Sequence, residues 1–414
     1  MNERQDTEIG QLPGEWELKT LLDVASPTKK AIISGPFGSN ISRKYFVESG
    51  VPVIRGNNLD LDIGTKFVDD GFVFVTEEKA ESLNTWATVN DLVFTAAGTI
   101  GQVGLITGNQ KYSHYIISNK QLRATLDHKK INPLFAYYWF ASDLVQQLIV
   151  RRNTGSTIPL INLSVLKSLP VPLPSLREQE AITAVLASLD DKIDLLHRQN
   201  KTLESLAQTL FRHWFIDGAE DDWEERPLDE VADYLNGLAC QKYPPENEAE
   251  RLPVLKIKEL RNGLSDQSDW ATSNVSDEYI VENGDVIFSW SGSLMVKIWD
   301  GTSCVLNQHL FKVTSAEFPK WFYYLWTIYH LEKFIAIAAS KATTMGHIKR
   351  GDLSNSMVLI PSQQELEKMD RAIAPLLDKL ILNNRQIAKL TALRDTLLPK
   401  LMSGEVRVRL RQQN

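Results

Sequence analysis

The sequence predicts an α+β protein that arose by internal duplication. Two similar domains of mixed and antiparallel β-structure with helices are separated by two long helices, which pack as an antiparallel coiled coil with pseudo-two-fold symmetry. Three observations support this. The chain matches itself at an offset of 187 residues, heptad-spaced apolar residues recur at that offset, and the segments before them hold short apolar runs punctuated by glycine. The predicted order is domain, helix, domain, helix.

The duplication is clearest between residues 155–210 and 342–397, which align without a gap. Identical pairs include Ile161 with Ile348, Leu166 with Leu353, Glu178 with Glu365, Leu189 with Leu376, Leu203 with Leu390 and Leu210 with Leu397. Upstream the offset drifts: residues 52–55 resemble 253–256, residues 91–94 resemble 285–288, and residues 119–122 resemble 307–310. Two domains that share a fold but differ in loop length produce such a pattern.

Residues 177–213 hold the first heptad pattern, which predicts a coiled-coil helix spanning about 55 Å. Its apolar positions are Ile182, Leu189, Leu196, Leu203 and Leu210, interleaved with Leu186, Ile193, Asn200 and Ala207. The equivalent positions of the second helix are Met369, Leu376, Asn383, Leu390 and Leu397, interleaved with Ile373, Leu380, Ile387, Arg394 and Leu401. Each helix therefore has one asparagine in its apolar stripe.

These two asparagines lead to a hypothesis about register. If the helices pack antiparallel about a pseudo-two-fold axis, residues that face each other have a constant sum of numbers, and Asn200 then faces Asn383. An interhelical amide pair of this kind fixes the register of a coiled coil at some expense in stability. The alternative is that helix curvature turns one or both side chains outward to water.

Before each long helix, short apolar or alternating runs such as residues 51–54, 92–94, 103–106 and 286–288 predict strands joined by glycine-containing turns. A helix is predicted over residues 133–150, because Asn132 and Pro133 provide a start, and Pro319 opens its counterpart. At helical spacing, the aromatic face of Phe135, Tyr138 and Trp139 is assigned to the core rather than to base stacking.

Composition limits the function. The net charge of -7 disfavours a surface that follows a phosphate backbone everywhere, so any DNA contact should be local. No signal peptide and no apolar run of membrane-spanning length is present, and we expect a cytoplasmic protein without a membrane partner. Cys240 and Cys304 are too few and too isolated for disulfides or zinc, and both are interpreted as small buried residues.

The predicted boundaries follow from these patterns. They are an N-terminal segment 1–15, a first domain 16–174, a central helix 175–215, a second domain 216–361, a distal helix 362–403 and a tail 404–414.

With these features in place, nearly the whole chain resembles the specificity subunits of type I restriction-modification systems. The resemblance is carried by the block Gly35-Pro36-Phe37-Gly38-Ser39, by residues 50–55 and by the closing segments at 155–157, 169–174 and 177–182. The second copy departs from it. Residues 236–239 replace the Gly-Pro-Phe-Gly-Ser block and residues 364–367 replace 177–180, which indicates a different target in the same role.

The resemblance implies two target-recognition domains, each reading one half of a bipartite site in double-stranded DNA, with a spacing set by the helices. It also implies partners: two methyltransferase (modification) subunits, and restriction-translocase subunits. S-adenosylmethionine, ATP and Mg would be bound by those partners, and no cofactor, metal or catalytic residue is expected in this chain.

Direct reading of bases needs side chains that form paired hydrogen bonds, and phosphate contacts need cationic, hydroxyl or backbone N–H groups, usually on loops. The candidates in the first domain are Ser39, Arg55, Asn57, Asn58, Thr99, Lys120, Gln121, Arg151, Arg152, Thr154, Ser156 and Thr157. Those in the second domain are Lys256, Lys258, Ser291, Ser293, Gln308, His309, Lys341, Thr343, Thr344, His347, Lys349 and Arg350. For each single Lys or Arg, a solvated surface charge is the alternative.

Two rival functions remain. The acidic composition and the long helices also suit a duplicated, coiled-coil-spaced scaffold that binds proteins without DNA specificity. A nuclease would require clustered carboxylates with a lysine, and the nearest approach is Glu246, Glu248 and Glu250 with Lys256, whose alternation is typical of an exposed loop. No P-loop and no adenine-methylase motif occurs, so the sequence favours a subunit that is not an enzyme.

Overall fold

A computed structural model describes residues 4–155, 157–265, 267–340 and 346–409. The chain divides into two compact units. The first unit comprises Met1–Asp191 with Ala392–Asn414, and the second comprises Lys192–Thr391. Each long helix thus contributes one part to each unit. The domain boundaries given above stay predictions.

The first unit is built mainly from short strands. They are β1 (Arg4–Thr7), β2 (Gly10–Pro13), β3 (Glu17–Thr20), β4 (Ile32–Ser34), β5 (Val51–Ile54), β6 (Val73–Val75), β7 (Trp86–Thr88), β8 (Leu92–Thr95), β9 (Val103–Leu105), β10 (His114–Ile117), β11 (Gln121–Ala124) and β12 (Pro170–Leu173). The sheet orders are β6-β5-β10-β7, β4-β11-β8-β9, β12-β3 and β1-β2. Only the β5–β10 pair is parallel among these described pairings, which agrees with the predicted mixed and antiparallel sheets.

The helices of the first unit are α1 (Glu77–Leu83), α2 (Pro133–Phe140), α3 (Asp143–Arg151), α4 (Leu163–Lys167) and the start of α5 (Leu176–Arg212). The single helix predicted over residues 133–150 is wrong, because Ser142 adopts an extended conformation and its hydroxyl donates to the Trp139 carbonyl at 2.6 Å. The predicted start is right: the Asn132 side chain accepts from the N–H groups of Leu134 and Phe135.

The second unit repeats the arrangement strand for strand. Its strands are β13 (Glu224–Pro227), β14 (Asp233–Asn236), β15 (Arg251–Leu255), β16 (Trp270–Thr272), β17 (Ile280–Val281), β18 (Val286–Ser289), β19 (Met295–Ile298), β20 (Cys304–Leu306), β21 (Leu310–Thr314) and β22 (Met357–Ile360). The sheet orders β16-β15-β20-β17, β14-β21-β18-β19 and β13-β22 are those of strands β3–β12 of the first unit with ten added to each strand number. The predicted duplication is confirmed.

Its helices are α6 (Leu228–Val231), α7 (Ile257–Asn262), α8 (Lys320–Ser340), α9 (Arg350–Ser354) and α10 (Gln363–Met402), and α5 ends in a π-helical turn at His213–Asp217. Helix α8 runs unbroken where the first unit has α2 and α3. None of the helices in the described ranges is both long enough and apolar enough to cross a membrane.

Strand pairing corrects one part of the internal alignment. Ser118 N–H donates to the Ile54 carbonyl, and Asn307 N–H donates to the equivalent Leu255 carbonyl. Asn307 is therefore the counterpart of Ser118, not of Asn119, and Lys120 corresponds to His309. The shared Asn and Leu letters at residues 119–122 and 307–310 align one residue out of register, because identity alone does not encode which residue faces the neighbouring strand.

The two long helices pack antiparallel. In the second unit Asn383 Nδ2 donates to Asn200 Oδ1 at 2.9 Å, and in the first unit Arg394 Nη1 contacts Asp190 Oδ1 at 3.2 Å. As the residue number falls along α5 it rises along α10. The amide pair lies where the constant-sum argument places it, and its role in fixing register stays a prediction.

Each unit has its own apolar core beneath its sheets. In the first unit Phe135, Tyr138 and Trp139 are buried, so the aromatic face of α2 belongs to the core as predicted. In the second unit Phe211 and Phe215 pack with Trp326 in the same way. Cys240 and Cys304 are free and buried, also as predicted.

Candidate nucleic-acid interface

Five loops of the first domain meet at one edge of its sheets. They are residues 35–40, 55–58, 96–102, 118–121 and 151–161 without residue 156, and we call them the first loop edge. Backbone hydrogen bonds join them: Gly35 N–H donates to Gln121 O at 2.9 Å, Ala96 N–H to Lys120 O at 2.7 Å, and Ile161 N–H to Ala96 O at 2.8 Å. Segments far apart in sequence thus form one continuous surface.

A glycine is required where the first of these loops leaves its strand. A Cβ atom on Gly35 would lie 1.8 Å from the carbonyl oxygen of Ser118, and one on the equivalent Gly237 would lie 2.4 Å from that of Asn307. Any other residue would push the loop away from the β10–β11 or β20–β21 turn. These two glycines therefore serve close backbone packing within the edge.

Most of the predicted residues of the first domain lie exposed on this edge. The exposed ones are Ser39, Asn57, Thr99, Lys120, Arg151, Thr154 and Thr157. Asn57 Nδ2 donates to the Gly71 carbonyl at 3.2 Å, which leaves its amide oxygen available. Ser156 lies outside the described residues.

Four other predicted residues of the first domain are engaged inside the fold. Asn58 is fully buried and its amide bonds to Arg55 N, Val68 O and Asp70 O. Gln121 is buried and accepts from the Ser118 hydroxyl. Arg55 donates to Gly71 O at 3.2 Å, and Arg152 to Ser168 O at 3.0 Å. Their side chains hold loops in place, and the buried Asn58 and Gln121 cannot contact DNA in this conformation, contrary to the prediction.

The second domain has an equivalent surface, the second loop edge, made of residues 236–242, 256–262, 290–294, 307–309 and 346–350. Gly237 N–H donates to Leu310 O at 3.1 Å, Gly292 N–H to Gly346 O at 2.8 Å and Ile348 N–H to Trp290 O at 3.1 Å. The duplication therefore extends to the loop surface.

On this second edge Lys258, Ser293, His347, Lys349 and Arg350 are exposed, and Lys256, Gln308 and His309 are half-buried. Several have partners: Lys256 pairs with Asp269, and Arg350 donates to Tyr234 O at 3.3 Å. Ser291 is buried, with its hydroxyl 3.1 Å from His309 Nδ1. Lys341, Thr343 and Thr344 lie outside the described residues.

Charge distinguishes both edges from the rest of the chain. The loops of the first edge contain no Asp or Glu, although the whole chain has a net charge of -7. On the second edge the only carboxylate in sequence is Glu259, and it is buried. Both edges can therefore attract a polyanion despite the acidic composition.

A family comparison decides the class of protein. The model of the type I restriction modification DNA specificity domain matches residues 13–205 and again residues 220–392. The chain belongs to this family. It is a specificity subunit of a type I restriction-modification system, with two target-recognition domains, and is not itself an enzyme.

Similar proteins match most of the length of this specificity subunit. The MjaIX specificity subunit of Methanocaldococcus jannaschii is 26% identical, over 98% of this chain and 97% of that protein. The HindI specificity subunit of Haemophilus influenzae is 19% identical, over 72% of this chain and 84% of its own. A crystal structure of the S subunit from M. genitalium, 16% identical, covers 93% of this chain and 96% of its own with a TM-score of 0.55, which supports the fold.

Two aromatic residues on the edges of this specificity subunit were missed by sequence reasoning. Trp290 lies on the second edge beside His309 and His347, with ring centroids 6.1 Å and 6.2 Å away, and its Nε1–H donates to Asn236 Oδ1 at 3.1 Å. Phe37 lies on the first edge. Trp290 directly precedes the predicted Ser291, and Phe37 lies inside the Gly-Pro-Phe-Gly-Ser block, so their positions were the available signal.

Proposed function

We propose that this specificity subunit binds double-stranded DNA through its two loop edges and that each domain reads one half of a bipartite site. The charge of the edges carries the proposal. Exposed cationic side chains on loops that hold almost no carboxylates of their own release counterions on meeting phosphates, which is the main source of DNA affinity. A scaffold that binds proteins gives no reason for both edges to exclude carboxylates in an acidic chain.

The exposed residues divide by chemistry into two roles. Lys120, Arg151, Lys258 and Lys349 supply charge for phosphates, while the amide of Asn57 and the hydroxyls of Thr99 and Ser293 supply hydrogen bonds to base edges. An asparagine amide can pair with the N6 and N7 atoms of adenine. The first edge presents that amide at Asn57, and the second edge presents imidazoles at His309 and His347 instead, so we expect different half-sites.

We further propose that the chemistry resides in partners: two modification subunits that bind S-adenosylmethionine, and restriction-translocase subunits that bind ATP and Mg. Within the described residues, no group of three His, Cys, Asp or Glu side chains is placed to hold a metal ion. The adenine methylation and DNA cleavage of the complex would then require no residue of this chain to act on substrate.

Exposed leucines on the long helices support two modification subunits. Leu195 and Leu206 on α5 are 39% and 45% exposed, and Leu382 and Leu393 on α10 are 56% and 46% exposed. Within each helix the two leucines are eleven residues apart, close to three full turns, and so share a face. The pairs occupy equivalent positions of the duplication. Two equivalent apolar faces suit two copies of one partner.

Paired substitutions test this docking. We expect Leu195→Asp with Leu206→Asp to remove one modification subunit from the assembled complex, and Leu382→Asp with Leu393→Asp to remove the other. Native mass spectrometry counts the subunits. Leu22→Asp is the control, since Leu22 is 55% exposed but lies on neither helix. Retention of both subunits by both variants would contradict the docking faces.

The DNA proposal is tested by sequencing the methylated bases of a host that expresses the chain with its modification subunit. The control host expresses the modification subunit alone. A new bipartite adenine-methylation motif that requires this chain is the expected result, and it would define both half-sites. A stable complex that adds no motif would favour the protein-binding scaffold.

A further inference from the structure

One aromatic side chain of the first loop edge points into solvent. Phe37 is 85% exposed, whereas no other large apolar residue in the described chain exceeds 56%. It follows Pro36 and precedes a short 3-10 helix at Gly38–Ile41. Water around a whole phenyl ring is unfavourable, so a side chain placed this way gains free energy from any apolar surface that covers it.

The loop that carries Phe37 is held rigidly. Gly35 N–H donates to Gln121 O at 2.9 Å, the Ser34 hydroxyl donates to Gly35 O at 2.8 Å, and Asn40 N–H donates to Phe37 O at 2.8 Å. Pro36 fixes one backbone angle on the other side. A rigid aromatic loses little conformational entropy on binding, which is the property of interface anchors.

The surroundings of Phe37 limit what can cover it. A Cβ on Gly38 would lie 3.0 Å from the Asn119 side chain, which places the loop beside the turn that carries Lys120. Arg43 and Lys44, both exposed, follow on the next 3-10 helix, Arg43–Tyr45. An apolar ring within a cationic surface matches a ligand that is anionic outside and apolar inside. The phosphates and the stacked bases of DNA have that arrangement.

We infer that Phe37 contacts the bases of the half-site bound by the first domain, as an apolar wedge against one base step. This inference rests on the proposed function and adds to it a residue that does not contact phosphate. The equivalent loop of the second domain offers no such ring, because Gly237 is the counterpart of Gly35 and Ala239 therefore occupies the position of Phe37. We expect this loop to unstack bases in the first half-site and not in the second.

The test uses the complete complex with its modification subunits and a duplex that carries the motif found for the wild-type protein. The variants are Phe37→Ala and Phe37→Tyr, with Leu22→Ala as an exposed apolar control away from the edge. We expect Phe37→Ala to weaken binding roughly tenfold or more without changing the salt dependence, since base–aromatic contact is lost and phosphate contacts stay. Phe37→Tyr should stay near the wild-type affinity.

2-Aminopurine placed at each position of the first half-site reports the unstacking directly. Its fluorescence should rise at one step in the wild-type complex and not in the Phe37→Ala complex. An unchanged affinity, or fluorescence that rises equally in both, would overturn the wedge while leaving the DNA proposal intact. Absence of any bipartite motif for the wild-type chain would refute the proposed function, and the wedge with it.

Discussion

The two units differ in one pair of facing residues where the long helices pack together. In the first unit Asp190 and Arg394 form a buried ion pair at 3.2 Å, with both side chains at most 5% exposed. Their counterparts in the second unit are Leu377 and Ala207, both buried in an apolar cluster. The same backbone arrangement therefore holds charge in one copy and hydrocarbon in the other.

The ion pair belongs to a network that ties the first domain to the helices. Asp190 also accepts from Lys66 at 3.1 Å and from the Tyr138 hydroxyl at 2.6 Å. Burial, and then the charge of Asp190, raise the pKa of Tyr138 far above its usual value. Burial acts to lower the pKa of Arg394, but its bonds to Asp395 and Asp190 raise that pKa overall, so the guanidinium stays charged.

This difference explains how the two similar helices can pair with each other and not with the same helix of another copy. If α5 paired with α5 of another copy, Asp190 would face a residue equivalent to Arg394, namely Ala207. If α10 paired with α10, Arg394 would face Leu377. Either arrangement takes from a buried charge its partner on the other helix, which is unfavourable, so the pair favours α5 with α10. Buried polar groups that specify helix pairing act in this way.

The largest expected effect comes from breaking the ion pair. We expect Asp190→Leu or Arg394→Ala alone to lower the free energy of unfolding of the first unit by about 3–5 kcal/mol, because each leaves a buried charge behind. The double variant Asp190→Leu with Arg394→Ala has the residues of the second unit at this pair. Its decrease in the free energy of unfolding should be smaller than the sum of the two single decreases by at least about 1 kcal/mol. Urea unfolding followed by hydrogen exchange in each unit measures this.

An exposed ion pair on α5 provides the control for that experiment. Arg198 and Asp194 are 3.0 Å apart but 70% and 67% exposed, so Arg198→Ala should change stability by less than about 0.5 kcal/mol.

Light scattering of the double variant at Asp190 and Arg394 shows whether the protein now self-associates. Strictly additive single losses, with no self-association, would argue against a pairing role.

A second difference between the units is the helix that follows the last sheet strand. Because α8 is unbroken, His330 reaches the second core, where its Nε2 lies 2.9 Å from Met357 O and its ring stacks with Trp326. Burial lowers the pKa of His330 to about 4. The unfolded chain binds a proton near pH 6.5 and the folded one does not, so stability should fall as pH drops from about 6.5 to 4.

His330→Gln tests this pH dependence. In the wild-type protein this histidine should lower the free energy of unfolding by no more than about 3 kcal/mol at pH 4 relative to pH 7. The substitution should abolish that decrease. The first unit has no buried histidine at the corresponding place, where the chain has exposed Leu144. Hydrogen exchange at both pH values should therefore show the loss in the second unit only. A slope that persists in the variant would assign it to other groups.

How far the sequence predicts this molecule depends on the kind of information involved. The heptads predict the long helices and the self-match predicts the duplication. Both can be found in the sequence because the spacing of apolar residues indicates helices and their buried faces. The break at Ser142 was not predictable, since one serine hydroxyl bonding to a carbonyl outweighs a continuous apolar pattern. Arg394 stands at a core heptad position in the sequence, but its partner Asp190 emerges only from the packing.

The candidate site shows the same limit. Loop residues were found by type, yet Asn58 and Gln121 are buried while Asn57 and Lys120 are exposed. Adjacent residues of similar chemistry differ in this way because turn geometry sets which side chain points inward. Phe37 and Trp290 were missed because aromatic residues are assigned to cores by default, and only the structure shows that Phe37 is exposed and Trp290 half-buried.

The amide pair of the second unit is a milder counterpart of the ion pair. Asn383 is fully buried and its Oδ1 has no hydrogen-bond partner within the described structure. Replacing both Asn200 and Asn383 by Leu should raise the free energy of unfolding by about 1 kcal/mol and relax the helix register. Urea unfolding and light scattering detect the two effects. Gln386→Leu serves as an exposed control, and a less stable but still monomeric double variant would refute the register role.

Two adjacent arginines of the first edge allow a charge that binds DNA to be distinguished from a charge that stabilises the fold. Arg151 is exposed, whereas Arg152 donates to Ser168 O and approaches Glu8 at 3.5 Å. We expect Arg151→Glu to weaken binding of the cognate duplex and to reduce the slope of log affinity against log salt by about 1, the effect of one lost phosphate contact. Arg152→Glu should mainly lower stability.

The control is Lys129→Glu. Lys129 is exposed outside the edge, so this substitution changes the net charge equally and controls for long-range attraction. If its slope falls as much as that of Arg151→Glu, the effect is one of overall charge, and Arg151 makes no specific phosphate contact.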